Sequence, residues 1–454
     1  MQNVRGYVWR NAIVSGLLCL PLLFVTQTDA NAIQTAAGDG ELLAGHVEKL
    51  SALSGPPATE TEFAAGVYIE NTLRSYGYET ELLPFTYYTY RKPEVQSLNI
   101  EGWPDQQWSL QGFTYAPNGK AEGAIVACGL GTAQDYQRVD VRGKIALVER
   151  GGITYGEKVR QAAAAGAAAL LIQNDRDVFV PATLGAPLDM AIPVVGISKS
   201  QGEQLRKRMR SNGEQKASLR VEGALTLRQT SYSFLGKKPA TTSNRNQAVL
   251  LGARHDMVKG TPEAYDAGYG AAVMLEAARL LAEHPHDTDI YVVSFGASTA
   301  QDQGARAFVD YLEPKDRQRI IAAFVLDGLG SRKGNDLLVT PGEGSGSKLL
   351  PIRVAQENGA QYTPSLEQRT GLSQTDKILA HSGIPTALLT RTAASGATPP
   401  AAPRTIDTEP LVKAANLLVQ AVGEMIDPKT PAYPVETSAA QPAGKSTDDG
   451  EESQ

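Results

Sequence analysis

The residues with the means to do chemistry gather in the second half of the chain. Gly252-Ala253-Arg254-His255-Asp256-Met257-Val258 comes first, followed by Ala264-Tyr265-Asp266. Ser294-Phe295-Gly296-Ala297-Ser298-Thr299 is next, then Val325-Leu326-Asp327-Gly328, and farther on Asp376-Lys377, His381 and Arg404. One chemistry to weigh is nucleophilic attack by Ser298 or Ser294. Ser298 has neither a Gly-x-Ser-x-Gly elbow nor an evident histidine partner, so a catalytic triad is not expected. The other is metal chemistry. Zinc at neutral pH takes imidazole, thiolate and carboxylate ligands, about four per ion. A guanidinium has no lone pair to give and carries a charge that zinc repels.

The elements that must position these residues alternate regularly from Ser231 onward. Ala248 to Ala253 reads as a continuous apolar strand and Ala271 to Glu283 as a helix stopped by Pro285. Ile290 to Phe295 is a second strand, Gly304 to Leu312 a second helix, and Ala322 to Leu326 a third strand. Apolar runs without alternation imply strands covered on both faces, hence a three-layer α/β domain whose chemistry gathers at strand ends. Upstream, residues 33–85 show an amphipathic helical pattern: Val47, Leu50 and Leu53 recur at helical spacing, then Ala64, Val67, Tyr68 and Leu73. Gly77 closes the second of these helices, and a strand is expected from Tyr78 to Leu83.

Between Glu94 and Leu227 short apolar strands are separated by glycine-rich turns, with an alanine-rich helix from Lys158 to Ala165. Gly143-Lys144-Ile145-Ala146-Leu147-Val148-Glu149-Arg150-Gly151, then Glu157-Lys158, Ile192-Pro193-Val194 and Ile197-Ser198 with Gly202 and Leu205, resemble a protease-associated (PA) domain. That resemblance implies substrate gating or protein contact, without chemistry of its own.

The segments around Arg254, Asp266, Ser298, Asp327, Gly383-Ile384-Pro385 and Arg404-Thr405-Ile406-Asp407 resemble family twenty-eight of the metallopeptidases, the two-zinc aminopeptidases related to aminopeptidase Y. The resemblance implies an α/β fold: a three-layer mixed-sheet zinc-exopeptidase-like domain with an inserted β-rich PA domain. It also assigns roles by position. Arg254 stands where the family has its first histidine ligand, Thr299 where it has a glutamate ligand, and Arg404 where it has the last histidine. Asp266 and Asp327 keep two acidic ligand positions, Asp266 the bridging one. Ser298 replaces the general-base glutamate, and Asp256 is the remnant that would orient the missing first histidine. Asp302 lies too far along to replace the glutamates, and His255, one residue from a ligand position, should point to the opposite face of its strand.

These assignments imply a non-catalytic homologue that binds a peptide or protein, with no cofactor expected. The alternative is an active zinc aminopeptidase with an altered or single-metal site. Two surviving carboxylates and two incoming arginines imply that Arg254 and Arg404 pair with Asp266 and Asp327 in place of metal.

The formal charge of −6 argues against nucleic acid as a partner. Hydrophobic residues at 42% and charged residues at 20% permit an ordinary core. Arg5 and Arg10, the apolar run from Ala12 to Val25 and Ala30-Asn31-Ala32 read as an export signal. The run is shorter than the ~20 residues a spanning helix needs, so no stable membrane insertion is expected after cleavage. A lipid anchor at Cys19 is disfavoured because Leu17-Leu18 precede it. Removal of the signal leaves Cys128 without a disulfide partner. The expected organisation is a signal peptide at 1–32, the peptidase-like domain at 33–93 and 228–426, the PA-like domain at 94–227 and a disordered tail at 427–454. The expected place is extracellular or at the cell surface. Oligomeric state is not legible.

Overall fold

The computed structural model describes residues 37–103, 107–189, 191–257, 263–330, 337–341, 350–358, 374–391 and 406–433. The expected signal, Arg404 and the chain beyond 433 lie outside these residues.

Two helices open the chain. α1 (Gly40–Leu53) starts on Asp39, whose side chain accepts from the backbone of Glu41 and Leu42, and α2 (Glu60–Ser75) starts on Thr59. The strand that follows, β1 (Glu79–Arg91), runs well past Leu83. Its outward side chains are partly polar, so the apolar signal fades before the pairing does. The chain then forms β2 (Val95–Ile100), β3 (Leu110–Gln111), β4 (Gly119–Ala127), α3 (Ala133–Tyr136), β5 (Ile145–Glu149), α4 (Tyr155–Ala164), β6 (Ala169–Gln173), β7 (Val194–Ile197), α5 (Lys199–Asn212) and β8 (Gln215–Glu222). It returns through β9 (Leu225–Lys238) into β10 (Ala248–Arg254), α6 (Glu263–Ala282), β11 (Asp289–Phe295), α7 (Gln303–Tyr311), α8 (Pro314–Arg319) and β12 (Ile320–Leu326). β13 (Leu337–Pro341), α9 (Leu350–Asn358), α10 (Thr375–His381), β14 (Thr386–Arg391) and α11 (Glu409–Ile426) complete the described chain.

The larger domain is built on a seven-stranded sheet in the order β1-β9-β11-β10-β12-β14-β13. β10, β11, β12 and β14 run parallel, while β1, β9 and β13 join antiparallel, so the sheet is mixed. Side chains alternate between its faces. Val249, Leu251 and Ala253 of β10 join a core with α1, α2, α6, α9 and α11, whereas Ala248 and Leu250 face a core with α7 and α10. Helices on both faces give three layers. The fold is thus α/β, a three-layer domain on a mixed sheet with an inserted β-rich domain.

The insertion carries the second seven-stranded sheet, β2-β8-β4-β5-β6-β7-β3. β1 and β9 join the two sheets as one continuous antiparallel ribbon, paired from Glu79↔Lys237 to Arg91↔Leu225. The stretch read as a disordered tail from Asp427 stays tied to the body as far as Tyr433. Arg245 donates to the carbonyls of Asp427, Pro428 and Thr430, and Gln247 Nε2 donates to that of Tyr433. Its composition is polar, but its backbone carbonyls are what hold it, and composition does not show those. Among the described residues no helix is long and apolar enough to cross a membrane.

Candidate functional site

Three parallel strands deliver the site at their carboxyl ends, where open α/β sheets place their ligands. β10 and β12 pair Gly252↔Val325 and Ala253↔Leu326, so Arg254 and Asp327 are the next residues abreast. Ala253 and Leu326 face the α6 core, and one step on, Arg254 and Asp327 turn to the opposite face. There Arg254 Nε stands 3.2 Å from Asp327 Oδ1, with the side chains 16% and 12% exposed. The approach is an ion pair by distance, without the alignment of a hydrogen bond between Nε and Oδ1.

β11 ends at Phe295, and the loop beyond it is tightly wound. Ala297, Gln301 and Asp302 all have positive φ, of 49°, 66° and 53°. Gly296 is required because a Cβ there would meet the Tyr232 carbonyl at 2.2 Å. Asp256 holds the front of this loop. Its Oδ1 accepts the Ser298 N–H at 2.8 Å, and its Oδ2 accepts the Thr299 N–H at 2.8 Å and hydroxyl at 2.6 Å. Asp256 is therefore fully engaged, where its sequence position alone implies a remnant with no histidine to orient.

Glu62 holds the same loop from behind, a role the sequence reading missed. It accepts from Ala297 N at 2.7 Å, Ser231 Oγ at 2.8 Å and Ala58 N at 2.6 Å. Burial pushes its carboxyl up to about 7 against the pull of those donors. Glu62 sits on a helix far upstream, and its periodicity is that of any amphipathic helix, so no sequence signal marked it.

Ser298 is 9% exposed, and its Oγ, buried, has no hydrogen-bond partner among the described residues. Asp302 is buried and accepts from Thr375 Oγ1 at 2.8 Å. Burial, with Asp327 and Asp256 nearby, raises its carboxyl. Asp376 is 5% exposed, its Oδ1 has no hydrogen-bond partner among the described residues, and burial pushes it up to about 6. Sequence spacing puts Asp302 too far along to replace the glutamates, and the left-handed turn brings it into the electrostatic neighbourhood of Arg254 and Asp327.

His255 is sequestered. Its Nδ1 lies 2.7 Å from Ser294 Oγ, its ring packs edge-on against Phe234, and burial pushes it down to about 4. His381 is exposed at the end of α10. Asp266 falls within the first turns of α6, and its side chain lies outside the described set, as does all of Arg404. Among the described residues, no group of three or more His, Cys, Asp or Glu is arranged to hold a metal ion.

A three-layer mixed sheet with polar residues converging at its parallel strand ends, interrupted by a β-rich insertion, defines the class: a zinc-exopeptidase-like fold carrying a PA domain. The model of the PA domain matches residues 121–205 and that of peptidase family M28 matches residues 236–416. Aminopeptidase YwaD of Bacillus subtilis is 32% identical over 365 residues, covering 76% of this chain and 75% of that protein. The chain belongs to peptidase family M28. The probable lipoprotein aminopeptidase LpqL of Mycobacterium tuberculosis is 29% identical over 300 residues, covering 63% of this chain and 56% of that protein. Among solved structures, the aminopeptidase from Aneurinibacillus sp. strain AM-1 superposes with a TM-score of 0.61 at 29% identity, covering 88% of this chain and 97% of that one. A zinc aminopeptidase from Bacillus subtilis gives 0.52 at 26% identity, covering 87% and 96%.

Proposed function

We propose that this protein is a secreted pseudopeptidase of the M28 family, which binds a peptide or protein and does not hydrolyse it. The observation that carries the reading is the Arg254–Asp327 ion pair at the strand ends. A fixed guanidinium there occupies a first-ligand position with a positive charge and no lone pair, so the residues do not fit a two-zinc centre. Thr299, at a second ligand position, spends its hydroxyl on Asp256. Ser298, at the base position, cannot accept a proton from water near neutral pH. In this reading Asp266 and Arg404 complete the vestigial set, and Arg404 pairs with the remaining carboxylate as Arg254 does with Asp327.

A peptide or protein is the ligand class because the relatives are named as aminopeptidases. Export is supported by the expected signal at 1–32 and by a relative named as a lipoprotein. The division into 33–93 and 228–426 for the peptidase-like domain and 94–227 for the insertion belongs to the same reading.

The test is the zinc content of the purified mature protein, by elemental mass spectrometry after dialysis against micromolar zinc, with aminoacyl-p-nitroanilides assayed in parallel. Absence of stoichiometric zinc and of turnover is the expected result. One or two tightly held zinc ions with turnover would overturn it.

A further inference from the structure

The inserted domain holds a cavity of about 370 Å³ close to where the β1–β9 ribbon enters it. That is within the size range of small-molecule sites. Its walls are Tyr90 at the end of the ribbon, Phe113 behind β3, and the segment from Phe179 to Ala182 after β6. Backbone pairing fixes these walls before any ligand arrives. Thr114 N–H donates to Ala182 C=O at 2.9 Å, Leu184 N–H donates to Thr114 C=O at 3.0 Å, and the Gln111 amide donates to Val180 C=O.

The cavity is apolar on most sides, with Lys92, Gln96, Gln111 and Thr114 the polar side chains in its lining. Gln96 lines it, and its side-chain amide nitrogen is buried with no acceptor among the described residues. That amide packs where a Cβ at Gly112 would stand, 3.0 Å from it, so a glycine there makes room for the amide. A buried donor left without an acceptor costs about 1–3 kcal/mol, so the amide gains by turning towards an acceptor placed in the cavity. Lys92, exposed, adds a cation among the lining residues. At the segment that forms one wall, Val178 is 70% exposed and Val180 is also exposed.

We propose that this cavity binds a monoanionic carboxylate with an aromatic or branched aliphatic body, the body between Tyr90, Phe113 and Phe179 and the carboxylate accepting from Gln96 and facing Lys92. The site is separate from the strand-end cleft and does not depend on whether that cleft hydrolyses peptides. Two sources share this chemistry, a free small acid and the carboxyl terminus of a peptide.

The experiment is ligand-observed NMR saturation transfer with titration on the full mature protein. The probes are 3-phenylpropanoate, its neutral amide, and a tripeptide ending in phenylalanine with a free carboxylate. The expected result is saturable binding of the acids, with a dissociation constant on the order of 1 mM or tighter. The amide should bind at least fivefold more weakly, and Lys92→Ala and Gln96→Leu should each weaken the acids by at least fivefold while leaving the melting temperature of the chain intact. Tighter binding of the tripeptide than of phenylpropanoate assigns the site to peptide termini, and the reverse order to free acids. No saturable binding of either acid, equal binding of acid and amide, or indifference to both substitutions would overturn the proposal.

Discussion

Thr299 gives both its backbone N–H and its hydroxyl to one oxygen of Asp256, at 2.8 and 2.6 Å, across 43 residues of sequence. With Ser298 N–H on the other oxygen, the carboxylate closes the loop after β11 onto the end of β10. Asp256→Ala leaves two backbone donors and a hydroxyl without their acceptor. We expect a loss of roughly 2–4 kcal/mol, since hydrogen bonds to a charged group are among the stronger ones. Urea denaturation measures it; a loss below ~0.5 kcal/mol would show that the clamp is dispensable.

Arg254→Met leaves Asp327 shielded and uncompensated. Removing one partner of a buried pair typically costs about 3–5 kcal/mol, and partial exposure of both side chains reduces that here to roughly 2–3. Adding Asp327→Leu should recover most of the loss, because an apolar pair of similar volume avoids the desolvation of both charges. A double-mutant cycle by chemical denaturation decides the point. Additive effects would mean that the two groups do not depend on each other.

Asp376 sets a pH dependence of stability. Its folded carboxyl lies near 6, above the ordinary carboxylate range, because burial disfavours the charge. The folded state therefore binds this proton more tightly than the unfolded chain. Stability is highest below pH ~4 in this respect, declines as pH rises through 6, and carries the full penalty above that. Asp376→Asn removes the charge, so it should stabilise the protein by about 2–3 kcal/mol at pH 7.5 and by under about 1 kcal/mol at pH 4.5. Melting temperatures of both forms across that range provide the check; a constant difference between them would refute the assignment.

Gly304 has no room for a side chain, since a Cβ would stand 2.2 Å from the Gly296 carbonyl. The same carbonyl accepts the Gly304 N–H at 3.1 Å, so the two segments cannot part without losing that bond. Gly304→Ala should cost more than about 2 kcal/mol, against the small gain that alanine usually brings in a helix. Thermal unfolding of the single variant tests it, with an unchanged melting temperature as the contrary result.

The sequence by itself determined the class of fold. Continuous apolar runs such as Ala248–Ala253 and Ile290–Phe295 require burial on both faces, which only a sheet between helices provides. The residue types at the strand ends were equally legible, and the proposed function rests on arginine, serine and threonine standing there in place of imidazole and carboxylate. What the tertiary structure decided was partnership. Asp256 looked idle in the sequence and holds a loop; Asp302 looked too distant and is turned inward by a left-handed backbone. Glu62 carried no signal, and it braces the same loop from a helix more than two hundred residues upstream. Alternation along a strand gives the face a side chain takes, but contact between residues far apart in sequence depends on sheet register and loop conformation, which local residue patterns do not encode.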